Sequence, residues 1–273
     1  MNPLVTVYIP TKNRKELLKR AVLSVLNQTY ENIELIVVND RSEDETEVFL
    51  QEICKSDKRV SFYSNDISRG ACYSRNIAIS KSKGEFITGL DDDDYFSRER
   101  IEFLVRSWSE NYLFSATSSI PHDYNTHFVT KLQKKLSKRS ELIDFTKILK
   151  SNVVGNQIFC KTSLLKEYMF DDNLVALQDW ELWIRLLKNS SKPAIKYSRD
   201  LMFIDTNHGD TRITTLNNRF MACSFLENKH SINLDLAKSL WKLEYKKSIS
   251  TSEMMLVISN GFFRLPIKWL FKS

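Results

Sequence analysis

Four short apolar runs rich in β-formers, Leu4–Ile9, Ile33–Val38, Val60–Tyr63 and Phe86–Leu90, punctuate the first third of the chain. Between them the spacing turns helical: Leu17, Leu18, Ala21, Val22, Val25 and Leu26 share one face, and Glu43 to Ile53 and Gly70 to Ser80 follow as further helices. Ile33–Val38 reads IELIVV, an uninterrupted apolar run. A strand of that kind is buried on both faces, which is the habit of parallel sheets. The order β-α-β-α-β-α-β therefore predicts an α/β fold, a doubly wound, mostly parallel sheet flanked by helices. In open sheets of this type the ligand crevice lies beyond the carboxyl ends of the strands. Three polar clusters fall at such ends: Pro10-Thr11-Lys12-Asn13-Arg14, Asn39-Asp40 and the run Asp91 to Asp94. They are expected to converge in one cleft.

Past residue 105 the pattern is less regular, with a basic stretch over 131–150 and a helix beginning near Gln178. No repeat and no Gly/Ser linker is present. From about residue 218 the chain becomes basic and amphipathic, and it reads as a helical appendage. Gly and Pro together are scarce (6 and 5 of 273 residues), and 42 % of the chain is hydrophobic, which excludes a collagenous or largely disordered protein. Charge is split: residues 1–120 carry 16 basic and 19 acidic side chains, residues 121–273 carry 24 and 15. The basic half calls for an anionic partner. Cys54, Cys72, Cys160 and Cys223 form no C-x-x-C pair, so neither a zinc ribbon nor a disulfide framework is indicated. The opening MNPLVTVYIP lacks the form of a secretory signal, and no apolar run reaches the ~18 residues of a membrane span. The expectation is a cytoplasmic protein.

Asp91–Asp94 directly follow a strand predicted to be buried, so four carboxylates repel one another at the expected crevice. A divalent cation would relieve that repulsion. The alternate acidic positions, sixth-position Gly and terminal Glu of an EF-hand are missing. The run suits an open octahedral Mg²⁺ or Mn²⁺ site, held by one or two carboxylates and completed by phosphates and water. Asp40 reads either as a helix-cap aspartate or as an acceptor for a nucleoside. Neither G-x-G-x-x-G nor G-x-x-x-x-G-K-[ST] occurs, which disfavours dinucleotide and P-loop sites. In Gln178-Asp179-Trp180-Glu181-Leu182-Trp183, Glu181 reads as a first-turn acid complementing the helix dipole. Asp179 stands at the helix start, where a carboxylate can enter a cleft and act as a general base.

VTVYIPTKNR, LNQTYENIELIVVNDRSED, NDISRGACYSRNIAISKSKGEFITGLDDDD and LQDWELWIRL resemble, in order and spacing, the inverting family 2 glycosyltransferases with the GT-A fold. The resemblance covers residues 3 to about 215. It implies a GT-A domain over 1–217, with a nucleotide-binding half (1–105) and an acceptor half (106–217), followed by a C-terminal helical tail (218–273). It also implies transfer from a nucleotide sugar, a UDP-hexose, to a hydroxyl of a glycan acceptor. A lipid-diphosphate-linked oligosaccharide of O-antigen, capsule or other surface-polysaccharide synthesis would fit. By the same resemblance Pro10 and Thr11 contact the base, with Asn13 and Arg14 at the same strand end, and Asp40 meets the uracil. Arg75 touches the base or braces the phosphate loop, Asp91 and Asp92 face the ribose, and Asp93 is the principal metal ligand. Asp94 supports the metal or faces the acceptor. Asp179 matches the catalytic base, and Gln178 replaces an acidic residue common at that point. His208 resembles a late histidine that completes the metal site, and Arg212 a segment that closes over the diphosphate.

The tail GFFRLPIKWLFK places large aromatic rings among basic residues. It reads either as a helix packed on the body or as an anchor on anionic membrane. Two other classes compete: a non-catalytic sugar-nucleotide-binding protein, which would need no base, and a nucleic-acid-binding protein. The basic residues are scattered and the aspartate run would repel a phosphate backbone, so no nucleic-acid partner is expected.

Overall fold

A computed structural model describes residues 2–121, 140–174, 176–205, 215–245 and 247–260. The four apolar runs form β1 (Val5–Thr11), β2 (Ile33–Asn39), β3 (Val60–Ser64) and β4 (Phe86–Gly89), all pairing in parallel. They alternate with α1 (Lys15–Leu26), α2 (Thr46–Ser56) and α3 (Ala71–Lys81). A short β5 (Tyr95–Phe96) follows the aspartate run, and the stretch predicted to be irregular supplies four more strands: β6 (Ser115–Pro121), β7 (Glu141–Ile143), β8 (Phe159–Lys161) and β9 (Ala194–Ile204). The sheet runs β3-β2-β1-β4-β8-β6-β9-β5, with β7 also on β9. β8 is antiparallel to both β4 and β6, so the nucleotide-type half changes to a mixed half beside β4. That seam lies next to the aspartate run.

Strand periodicity decides which residue faces which layer. On β1, Val5, Val7 and Ile9 point into one core with Leu18, Val22 and Val25 of α1, whereas Tyr8 points into the other. On β2, Leu35 and Val37 join the first core, and Ile36 and Val38 the second. Full burial of each aliphatic side chain is worth about 1.5–3 kcal/mol, so the IELIVV run stabilises both layers at once.

The helices that follow are α4 (Arg100–Arg106), α5 (Phe145–Lys150), α6 (Thr162–Tyr168) and α7 (Gln178–Lys188). The appendage consists of α8 (Leu216–His230), α9 (Asp235–Glu244) and α10 (Thr251–Ser259). Ala222, Cys223 and Leu226 of α8 and Ala237 of α9 belong to the same core as Trp180 and Trp183 of α7. Trp241 meets Trp180 edge-on at 5.7 Å between ring centroids. The appendage is thus packed on the helix that begins at Gln178. α10, opened by a reciprocal Ser250/Glu253 capping box, buries Val257 with Leu236 in a separate small cluster.

Glu181 lies in the first turn of α7, as expected, and is more than a dipole partner. It is fully buried and accepts from Arg185 (Nε, 3.0 Å), Lys229 (3.1 Å) and the His230 ring (2.9 Å). Burial alone would raise its pKa, but these cations and donors hold the carboxyl below its ordinary range. To that position α8, far away in sequence, adds Lys229 and His230.

Candidate active site

The strand ends meet as the topology requires. After β1 the chain turns through Asn13, whose φ of +53° is a left-handed conformation that Asn tolerates. Asn13 ties this loop to the next: its N–H donates to Ser42 Oγ (2.9 Å), and its Oδ1 accepts from the Glu43 N–H (2.6 Å). The Asp40 N–H donates to the Thr11 carbonyl (2.8 Å). Pro10 lies inside β1, opposite Val38, and is buried.

The Asp40 carboxylate organises the loop before α3. It accepts from Asn65 Nδ2 (2.8 Å), Ser68 Oγ (2.7 Å), the Arg69 N–H (2.8 Å) and the Gly70 N–H (2.9 Å). Burial raises its pKa, and these four donors more than offset that, leaving it below the usual carboxylate range. Gly70 then starts α3 with φ +86°, where a side chain would be strained. Asp40 therefore does not cap the helix that follows Ser42 and Glu45, contrary to one of its sequence readings; it holds the loop before α3 instead.

The aspartate run is held by arginines and amides. Thr11 Oγ1 donates to Asp92 (2.8 Å), and Arg14 Nη1 bridges Asp92 and Asp93 at 3.1 Å each. Arg75 Nη2 pairs with Asp91 at 2.9 Å, its Nη1 donates to Gln178 Oε1 at 3.1 Å, and its guanidinium lies 5.2 Å from the Phe170 ring centroid. Asn156 Nδ2 donates to both Asp91 (2.9 Å) and Asp94 (3.0 Å). Arg20 donates to the Asp93 carbonyl and pairs with Asp205 (2.8 Å), whose N–H donates to Asp94. Asp179, at the start of α7, accepts from Asn152 Nδ2 at 3.0 Å. Burial pushes its pKa up, against the Trp180 N–H, Arg75 and Asn152, which favour the charged form. Arg75 thus joins the two ends of the site, with Asp91 on one side and the residue preceding Asp179 on the other.

Asn152, Asn156, Arg20 and Asp205 were not singled out from the sequence. Gly155 between two asparagines is a turn signal that marks the 152–156 loop, but no local pattern points to Arg20 or Asp205. His208 and Arg212 lie outside the described residues.

The donor set fits a hard divalent cation. Asp92 and Asp94 are nearly inaccessible (6 % and 3 % exposed), whereas the Asp93 side chain keeps 19 % of its surface. Burial, reinforced by the charges of Asp91 and Asp93, raises the Asp94 carboxyl to about 8, a sign that the carboxylates of the run crowd one another, as they would around a cation. Among the described residues no three His, Cys, Asp or Glu side chains converge to hold a metal. A partial shell of one or two carboxylates is what Mg²⁺ or Mn²⁺ uses when substrate phosphates supply the rest.

A parallel first half, a mixed second half and a carboxylate run at the seam make up a fold of the GT-A type. Residues 6–169 match the family described as Glycosyl transferase family 2, and the chain belongs to it. It is 32 % identical over 269 residues, 95 % of both chains, to WcaA of Escherichia coli K12, named as a colanic acid biosynthesis glycosyl transferase. It is 29 % identical, over 70 % of this chain and 73 % of the relative, to WfgD of Escherichia coli. That relative is named as a UDP-Glc:α-D-GlcNAc-diphosphoundecaprenol β-1,3-glucosyltransferase. Among solved structures, the mannosyltransferase PcManGT of Pyrobaculum calidifontis, in complex with GDP-Man and Mn²⁺, superposes with a TM-score of 0.66. The match covers 99 % of this chain and 79 % of that one at 15 % identity, a likeness of fold. The protein is a glycosyltransferase. Among the described residues no helix is long and apolar enough to cross a membrane.

Proposed function

We propose that this chain is a metal-dependent, inverting hexosyltransferase. It moves a sugar from a UDP-hexose to a hydroxyl of a lipid-diphosphate-linked oligosaccharide in surface-polysaccharide synthesis, at the cytoplasmic face of the membrane. The observation that carries the reading is the line Asp91–Arg75–Gln178, which ends one residue from Asp179 and sets a carboxylate base opposite the aspartate run. The name of WfgD supports the UDP donor and lipid-linked acceptor. PcManGT supports Mn²⁺.

In this reading residues 1–105 hold the nucleotide and 106–217 the acceptor. Pro10, Thr11, Asn13, Arg14 and Asp40 shape the nucleoside end of the cleft, and Asp91 and Asp92 face the ribose. Asp93, with His208, would hold the cation, which would supply Lewis-acid stabilisation of charge on the departing diphosphate. Arg75 and Arg212 add positive charge to the same group. Asp179 takes the proton from the acceptor hydroxyl as its oxygen attacks the anomeric carbon, the C–O bond to the diphosphate breaks, and configuration inverts.

The test is a melting-temperature screen of UDP-, GDP- and dTDP-sugars with and without Mn²⁺, because a ligand that binds only the native state stabilises it. A UDP-sugar at about 100 times its Kd should add about 2.7 kcal/mol of apparent stability. Chelation, or Asp93→Asn, should remove most of that gain. Stabilisation by GDP-sugars alone refutes the uracil reading, and stabilisation untouched by chelation refutes the metal.

Residues 218–273 carry nine basic and four acidic side chains; their first helices pack on the body, and the segment 261–273, which lies outside the described residues, faces the membrane in this reading. Liposomes containing anionic lipid should carry the full chain in flotation and lose it when 258–273 are deleted. Equal flotation of the two overturns the anchor.

A further inference from the structure

The 152–156 loop touches both chemical ends of the site. Gly155 takes φ +99°, and its N–H donates to Asn152 Oδ1 (3.1 Å). The Gly155 carbonyl accepts from Asn152 Nδ2 (3.2 Å) and from Trp183 Nε1 (2.9 Å), one turn beyond Asp179 on α7. Asn152 Nδ2 also donates to Asp179 Oδ2 at 3.0 Å, and the next residue along, Asn156, bridges Asp91 and Asp94. The amide orientation is fixed by its partners: the Gly155 N–H needs an oxygen, and the Asp179 carboxylate needs a donor.

We propose that Asn152 is the positioning residue of the base: it occupies one Asp179 oxygen so that the other receives the acceptor proton, and it favours the ionised form. The inference rests on Asp179 being the base. A hydrogen bond to a carboxylate lowers its pKa, so Asn152 opposes the upward push of burial. The groups facing Asp179 are Asn152, the Trp180 N–H, Arg75 and Asp91, of which only Asp91 adds repulsion. Withdrawing the amide therefore raises the pKa of the base further. Placing a second carboxylate there raises it most.

Asn152→Asp separates this role from a structural one, because an aspartate oxygen still accepts from the Gly155 N–H and keeps the turn. The assay follows nucleoside diphosphate release from UDP-glucose, UDP-N-acetylglucosamine and GDP-mannose with Mn²⁺, using the full chain and the donor that turns over fastest. N152D gives up the amide's bond to the Gly155 carbonyl, yet should stay folded with the wild-type donor KM, and lose about tenfold or more in kcat below neutral pH. The acid limb of its pH profile should move up by about one unit. Should N152D melt early, Asn152→Ser, whose shorter hydroxyl serves Gly155 and withdraws the amide from Asp179, should show the same direction of shift. A folded variant with an unmoved acid limb, or with its loss confined to KM, overturns the inference while leaving the base in place. Retained turnover in Asp179→Asn overturns both.

Discussion

Asp179→Asn is expected to lower transfer by about 10²–10⁴-fold while leaving Mn²⁺-dependent binding of the donor nearly intact. The amide keeps the size of the side chain but cannot take a proton from the acceptor hydroxyl. The residues that hold the nucleotide in the proposed reading, Asp40 and Arg14 among them, lie on other loops and are not disturbed. Because burial raises the pKa of Asp179, its ionised form is destabilised by folding. For a raised carboxylate the sign is definite: the stability it contributes is complete below its unfolded pKa and is lost as pH rises through the folded one. The asparagine variant should therefore melt higher than wild type at neutral pH, and the gap should close as the buffer is made acidic. Wild-type kcat should in turn fall on an acid limb above the ordinary carboxylate range. Near-normal turnover in the variant, or an unchanged melting temperature at neutral pH, would sink the assignment.

The second large effect lies beneath the aspartate run. A methyl group built on Gly89 lies 2.5 Å from Tyr8 Cζ and 2.6 Å from its hydroxyl, and closer still to Gln157 Oε1. Tyr8 and Gln157 are both buried, with exposures of 1 % and 4 %, and neither can swing into solvent. Gly89→Ala should cost about 1–3 kcal/mol of stability through overpacking. At this chain length each kcal/mol lowers the melting temperature by about 2–4 °C. The displaced atoms belong to Tyr8 on β1 and to Gln157, the neighbour of the Asn156 that donates to Asp91, so in the proposed reading donor affinity should fall as well. A variant with wild-type melting temperature would mean that Tyr8 and Gln157 have slack that the packing does not show.

The parallel half was legible because its signal is local. IELIVV announces two-sided burial in six letters, and each strand end carries its own polar cluster, so the cleft followed from a topological rule. The place of Asp179 at a helix start was legible too. The mixed half was not legible: β6, β7, β8 and β9 pair across long separations, and β7 and β8 are three residues each, too short for a period to emerge. Glu181 shows the same limit from the other side. A first-turn acid is ordinarily solvated, and only the packing of α8 turns it into a buried centre for Arg185, Lys229 and His230.

The sequence by itself determined the order of strands and helices in the parallel half, the two-sided burial of β2, and the carboxylates that gather at the strand ends. These depend on spacing within a few residues, where backbone geometry leaves little choice. Tertiary structure decided who holds those carboxylates. Asn152 is 27 residues from Asp179, Asn156 is 65 from Asp91, and Arg75 is 103 from Gln178. Hydrogen bonds and ion pairs act over about 3 Å, and only the closing of the sheet at the β4–β8 seam brings such partners within that reach.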